Sequence, residues 1–135
     1  MLNSNWIPLA FLVISSGIEF GHGAGFFRYD RDRILEGEFW RLVTGHLAHG
    51  TRLHWLFNAA GLVLLWGIYP GYFRQPVSLL LSLCIALLVS TSLLVLNPNV
   101  SWYVGMSALL HGLFTAWSAM DLSAGRRLAS FPLAL

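Results

Sequence analysis

The sequence predicts an all-α membrane protein, one domain over residues 1–135 built from about four transmembrane helices. Composition is the first reason: 56% of the side chains are hydrophobic and only 10% are charged, where a soluble domain carries about 25% charged residues. The second is the placement of charge. It is absent from the runs 1–18, 53–73 and 75–120, each long enough to compare with the roughly 20 residues of a spanning helix. The third is punctuation, because clusters of glycine, proline and asparagine divide the apolar runs into about four helices.

In chain order, the first helix is expected over 6–19, broken by the glycine-rich GHGAG at 21–25. Its run has the position and polarity of a secretory signal peptide. It lacks a basic leading region and a clear small-residue cleavage site before Glu19, so a retained helix is expected. A polar loop follows. The stretch EFWRLVTGHL at 38–47 resumes a helical pattern of mixed polarity, with Trp40 and Arg41 suited to the headgroup level of a bilayer.

The second helix is expected over 53–69, stopping at Tyr69-Pro70-Gly71. Pro76 suits the first turn of the third, because its missing N–H has no partner there in any case. That helix runs to about Leu96, where Asn97-Pro98-Asn99 forces a turn. The fourth begins near Gly105 and fades over 121–125, and the apolar tail after Arg126 and Arg127 is too short to span.

The net charge of +2 comes from arginine alone, and five of the eight arginines lie between Arg28 and Arg52. Glu19, Asp30, Asp32, Glu36 and Glu38 surround them, and such mixing argues against a nucleic-acid partner. A plain count of basic residues places the first loop in the cytoplasm, and alternation puts Arg74 and the tail on the opposite side. Cys84 is the single cysteine, so no disulfide forms within the chain.

Polar side chains at membrane depth cost on the order of 2–4 kcal/mol each and tend to face protein or a water-filled cavity. Here they cluster. His54 and Asn58 stand one turn apart on the second helix, Ser107 and His111 one turn apart on the fourth, and His46 and His49 lie just upstream of His54. The plain reading of His54 and Asn58 is a polar contact between helices, and that of Ser107 a small residue at a close helix crossing.

Gly105 shifts the balance, since a glycine at the mouth of the fourth helix lets backbone approach closely. A serine in a first helical turn has unpaired N–H groups beside it. With His54 and Asn58 those donors surround an anionic oxygen, as acyl transfer requires. The missing part is a base.

These residues resemble the rhomboid family of intramembrane serine proteases. EFWRLVTGHLAHGTRLHWLFNAAGLVLLWG, residues 38–67, is similar to the family's Trp-Arg motif of the first loop followed by His and His-x-x-x-Asn at the second helix. GMSALLHG, residues 105–112, is similar to its Gly-x-Ser motif, and the continuation LLHGLF most resembles the bacterial rhombosortase subgroup, which processes proteins with a C-terminal GlyGly-type membrane anchor. The resemblance covers roughly residues 5–125. It implies a rhomboid-like helical bundle with about four of the usual six transmembrane helices, a domain incomplete at its C-terminal end.

Position by position, the resemblance implies Ser107 as nucleophile and His54 and Asn58 as the pair that stabilises the oxyanion. Gly105 matches the glycine two before the serine, His49 a structural histidine of the loop, and Trp40 and Arg41 the structural motif of the first loop. Ala108 stands where the family usually has glycine. The family's base is a histidine on a sixth helix, and no histidine follows His111 in this sequence. His111, one turn from Ser107, is a weaker candidate base, better suited to packing or hydrogen bonding beside the nucleophile.

The implied function is a serine-type endopeptidase of a bacterial inner membrane, with membrane-anchored proteins as substrates and the bilayer as its other partner. The missing histidine leaves room for a non-catalytic rhomboid-like protein that binds transmembrane segments. A metal or haem site on His46, His49 and His54 is a third reading, but the spacing straddles Gly50 and a helix start with no cysteine or carboxylate in the pattern. No cofactor and no metal is expected.

Overall fold

A computed structural model of the chain describes residues 6–125. The tail expected not to span, and the first five residues of the leading apolar run, lie outside that range. Four long helices occupy the four expected places: α1 (Trp6–Phe20), α5 (Arg52–Ile68), α7 (Val77–Leu96) and α8 (Ser107–Ser123). Between them lie α2 (Ala24–Phe27), β1 (Tyr29–Asp30), α3 (Arg31–Leu35), α4 (Arg41–Thr44), α6 (Pro70–Phe73) and β2 (Trp102–Tyr103).

The first loop departs from expectation. The segment 38–47 is not a continuous helix: α4 supplies one turn, and turns flank it on both sides. Arg41 accounts for this, because its buried guanidinium holds the Glu38 carboxylate and donates to the Arg28 carbonyl at 3.0 Å and that of Gly25 at 3.4 Å. A side chain that gathers three other parts of the loop bends the backbone around itself. Thr44 adds a bond from its hydroxyl to the Phe27 carbonyl, 2.7 Å.

The helix ends follow local chemistry. Thr51 is extended and its hydroxyl accepts from the His54 N–H at 3.1 Å, an N-cap that starts α5 and sets His54 in its first turn. Pro70 both ends α5 and opens α6, as its fixed φ favours. Arg31 donates to the Leu94 carbonyl at 2.7 Å, serving one of the unpaired carbonyls at the end of α7.

Helix α7 buries a stripe of small side chains, Ser78, Ser82, Ala86 and Ser90, at four-residue spacing. Small residues let helices approach closely. Gly112 of α8 serves the same end, since a Cβ there would stand 2.6 Å from Cγ2 of Ile85. The core lies among α1, α5, α6 and α8, centred on Trp117, which packs against Tyr69, Tyr72 and Phe73.

The outer faces of all four long helices stay apolar. Val13, Phe57, Leu64, Leu88, Val95 and Leu122 are each more than three-fifths exposed, a surface that a water-soluble fold seldom leaves bare. By length and composition, α7 is the one helix among the described residues suited to crossing a membrane, with a mean hydropathy of 2.7. Helices α5 and α8 have 17 residues each, shorter than the roughly 20 that match a 30 Å hydrocarbon core, and α1 has 15 among the described residues.

Antiparallel pairing of β1 with β2, Tyr29 opposite Tyr103 and Asp30 opposite Trp102, ties the first loop to the turn before α8. The Arg31 N–H extends it by donating to the Ser101 carbonyl at 2.9 Å.

Candidate active site

Ser107 is the first residue of α8, and the first bond of that helix runs from the Leu110 N–H to the Met106 carbonyl at 2.9 Å. The N–H groups of Ser107 and Ala108 precede it, so neither has a partner inside the helix. Gly105 lies two residues before α8, whose start was expected near it. Its φ of +116° is foreign to a right-handed helix and to most side chains.

Three contacts pin Gly105. Its N–H donates to the Gly45 carbonyl at 3.1 Å, and its carbonyl accepts from the Tyr103 hydroxyl at 2.8 Å. The imidazole of His54 covers its α-carbon so closely that an added Cβ would stand 2.7 Å from both Cε1 and Nε2. Thus the turn that launches Ser107 rests on the ring of His54. Gly105→Ala is expected to destabilise the protein by about 3 kcal/mol, combining an unfavourable φ with a clash. Thermal unfolding in detergent, against wild type, measures it.

Asn58, one turn along α5, is 6% exposed. Its Nδ2 donates to the His54 carbonyl at 2.9 Å, and its buried Oδ1 has no partner among the described residues. A primary amide has two N–H donors and only one is spent here. Asn58, Ser107 and His111 line one end of a groove of about 410 Å³ between α5 and α8, whose other end is apolar, with Leu64, Ile68 and Phe114.

His111 is exposed, and its Nδ1 bonds the Ser107 carbonyl at 2.7 Å. Because a carbonyl only accepts, Nδ1 carries the hydrogen and Nε2 is left as the ring's acceptor. The ring is therefore turned along its own helix.

His46 and His49 do not converge on a common point with His54. His46 bonds through Nε2 to the Ala86 carbonyl at 3.1 Å and Ser90 Oγ at 3.0 Å, which ties the first loop to α7. His49 is fully buried and meets the His54 ring edge to face at 5.2 Å. Burial, with the neighbouring His54 adding to it, holds the His49 pKa down to about 4, so it packs as a neutral ring. Among the described residues no group of three or more His, Cys, Asp or Glu is placed to hold a metal ion.

Trp40 is exposed and stacks on Phe26 at 6.3 Å, while Arg41 does the buried work described above. Tyr103 was not among the residues that the sequence singled out. A tyrosine in Trp-Tyr-Val before a helix reads as an interfacial aromatic, and nothing local in it signals a bond to Gly105.

The model of the Rhomboid domain family matches residues 36–135, well over half of the chain. The match takes in Arg41, His54, Asn58, Gly105 and Ser107. No curated protein matches the chain.

Proposed function

Because this chain belongs to the rhomboid family of intramembrane proteases, we propose that it is a serine endopeptidase in which Ser107 is the nucleophile and His54, Asn58 and the Ser107 N–H hold the oxyanion. The observation that carries this reading is the seating of the His54 ring on Gly105, two residues before Ser107. Asn58 and Ser107 meanwhile line one groove. We place all four long helices across the bilayer of a bacterial inner membrane. Substrates are membrane-anchored proteins, of the rhombosortase type with a C-terminal GlyGly anchor, a choice that rests on the LLHGLF continuation after Ser107.

In the reaction, Ser107 Oγ bonds to the scissile carbonyl carbon and the carbonyl π pair moves to oxygen. The Ser107 N–H, the His54 ring and the spare Asn58 N–H meet that charge. The Oγ proton passes to a base, and the amine leaves as the C–N bond breaks and takes up a proton. Water then hydrolyses the acyl-serine.

We do not assign His111 as the base for this step, because its ring is turned along α8 onto the Ser107 carbonyl and no hydrogen bond joins it to Ser107 Oγ among the described residues. We assign the base to an imidazole outside the described residues, and for residues 1–135 taken alone imidazole added to the buffer is expected to speed cleavage.

The test is a liposome assay with a single-span substrate, run with and without imidazole and with a fluorophosphonate. Cleavage that imidazole accelerates and the fluorophosphonate blocks supports the proposal. A substrate retained by the protein but never cut, with imidazole present, makes it a non-catalytic binder.

A further inference from the structure

The turn before α8 holds a group that the reading above does not use. The Tyr103 hydroxyl donates to the Gly105 carbonyl at 2.8 Å. A peptide group is planar and trans, so fixing the direction of that carbonyl fixes the Met106 N–H in the opposite direction. With the Gly105 N–H already bonded to Gly45, the peptide groups on both sides of Gly105 are held.

The phenol is itself well anchored. Its ring meets that of His46 edge on at 5.4 Å, and its backbone pairs with Tyr29. Burial pushes its pKa up, offset only in part by the Ala108 N–H and the Ser107 hydroxyl beside its oxygen. One phenol oxygen therefore sits against the carbonyl of Gly105, the Ala108 N–H and the Ser107 hydroxyl.

We propose that Tyr103 is a positioning residue for acyl transfer: its hydroxyl clamps the Gly105 carbonyl and so holds the Ser107 hydroxyl and the neighbouring N–H donors in their reacting arrangement. The clamp stands on geometry alone, whereas its consequence for rate rests on Ser107 being the nucleophile. Tyr103 remains protonated throughout and takes no proton from Ser107.

The experiment uses the full chain in detergent, with three substitutions read by two methods. Tyr103→Phe removes the donor and keeps the ring. Tyr103→p-aminophenylalanine keeps a donor at that place. Tyr29→Phe removes the hydroxyl of the strand partner and leaves the Gly105 bond intact. Amide hydrogen exchange over residues 105–108 reads the clamp, and the rate constant and half-saturation of fluorophosphonate labelling read the nucleophile.

Tyr103→Phe is expected to speed exchange about tenfold, as loss of one net hydrogen bond does. It should lower the maximal labelling rate by about the same factor without changing half-saturation. Tyr29→Phe and the amino variant should behave as wild type.

Unchanged exchange in Tyr103→Phe overturns the clamp. Faster exchange with unchanged labelling overturns the positioning role. Should Tyr103→Phe fail to fold, the amino variant decides, because fast exchange there contradicts a donor role and wild-type exchange supports it. A wild-type chain that never labels, even with imidazole, removes Ser107 as nucleophile and with it the positioning role, while exchange still judges the clamp.

Discussion

Ser107→Ala is expected to abolish covalent labelling by a fluorophosphonate, a loss on the order of 10⁴-fold or more, since removing a serine nucleophile leaves only background chemistry. The size follows from position. Ser107 opens α8, where its own N–H has no partner inside the helix, and it lines the groove between α5 and α8. The substitution removes one oxygen from an exposed first-turn residue together with its contact to the Tyr103 hydroxyl, so thermal stability should stay within about 1 kcal/mol of wild type. Labelling rate and melting temperature, measured on the same preparation, separate the two effects. Equal labelling of the variant and the wild type would remove Ser107 from the chemistry.

Asn58→Ala carries the second largest expected effect. Taking away one oxyanion donor typically lowers the chemical step by about 10²–10³, and the loss should fall on the maximal labelling rate rather than on half-saturation. Stability is expected to move little. The bond from Nδ2 to the His54 carbonyl is lost, at a cost of about 1 kcal/mol, but a buried Oδ1 that has no partner is lost with it. A residue held only for packing would show the reverse pattern, a lower melting temperature with labelling intact.

Much of this architecture is legible in the sequence because its helices are bounded by residues with few conformational choices. Tyr69-Pro70-Gly71, Pro76 and Asn97-Pro98-Asn99 mark the ends of α5 and α7 to within a residue or two. His54 and Asn58 are legible as a pair because four-residue spacing on a helix needs no tertiary information.

The first loop is not legible in the same way. Its path is set by Arg41 reaching back to Gly25 and Arg28, and by a two-residue ladder that joins Tyr29 to Tyr103 across more than half of the chain. A pairing that short has no alternation to detect. The same gap hid Tyr103, whose importance depends on which carbonyl its hydroxyl meets.

Helix lengths show a further limit. The uncharged runs are longer than the helices within them, and α5 and α8 have 17 residues each because Pro70 and the turn before Ser107 lie inside the runs rather than at their charged borders. Apolar composition therefore marks the places of helices better than their reach across a bilayer.

The most direct measurement is the structure of the protein after fluorophosphonate labelling. It should place the adduct on Ser107 Oγ, with the phosphoryl oxygen about 3 Å from the His54 ring, the Asn58 amide and the Ser107 N–H. An adduct on another residue, or a phosphoryl oxygen turned away from both His54 and Asn58, would contradict the account.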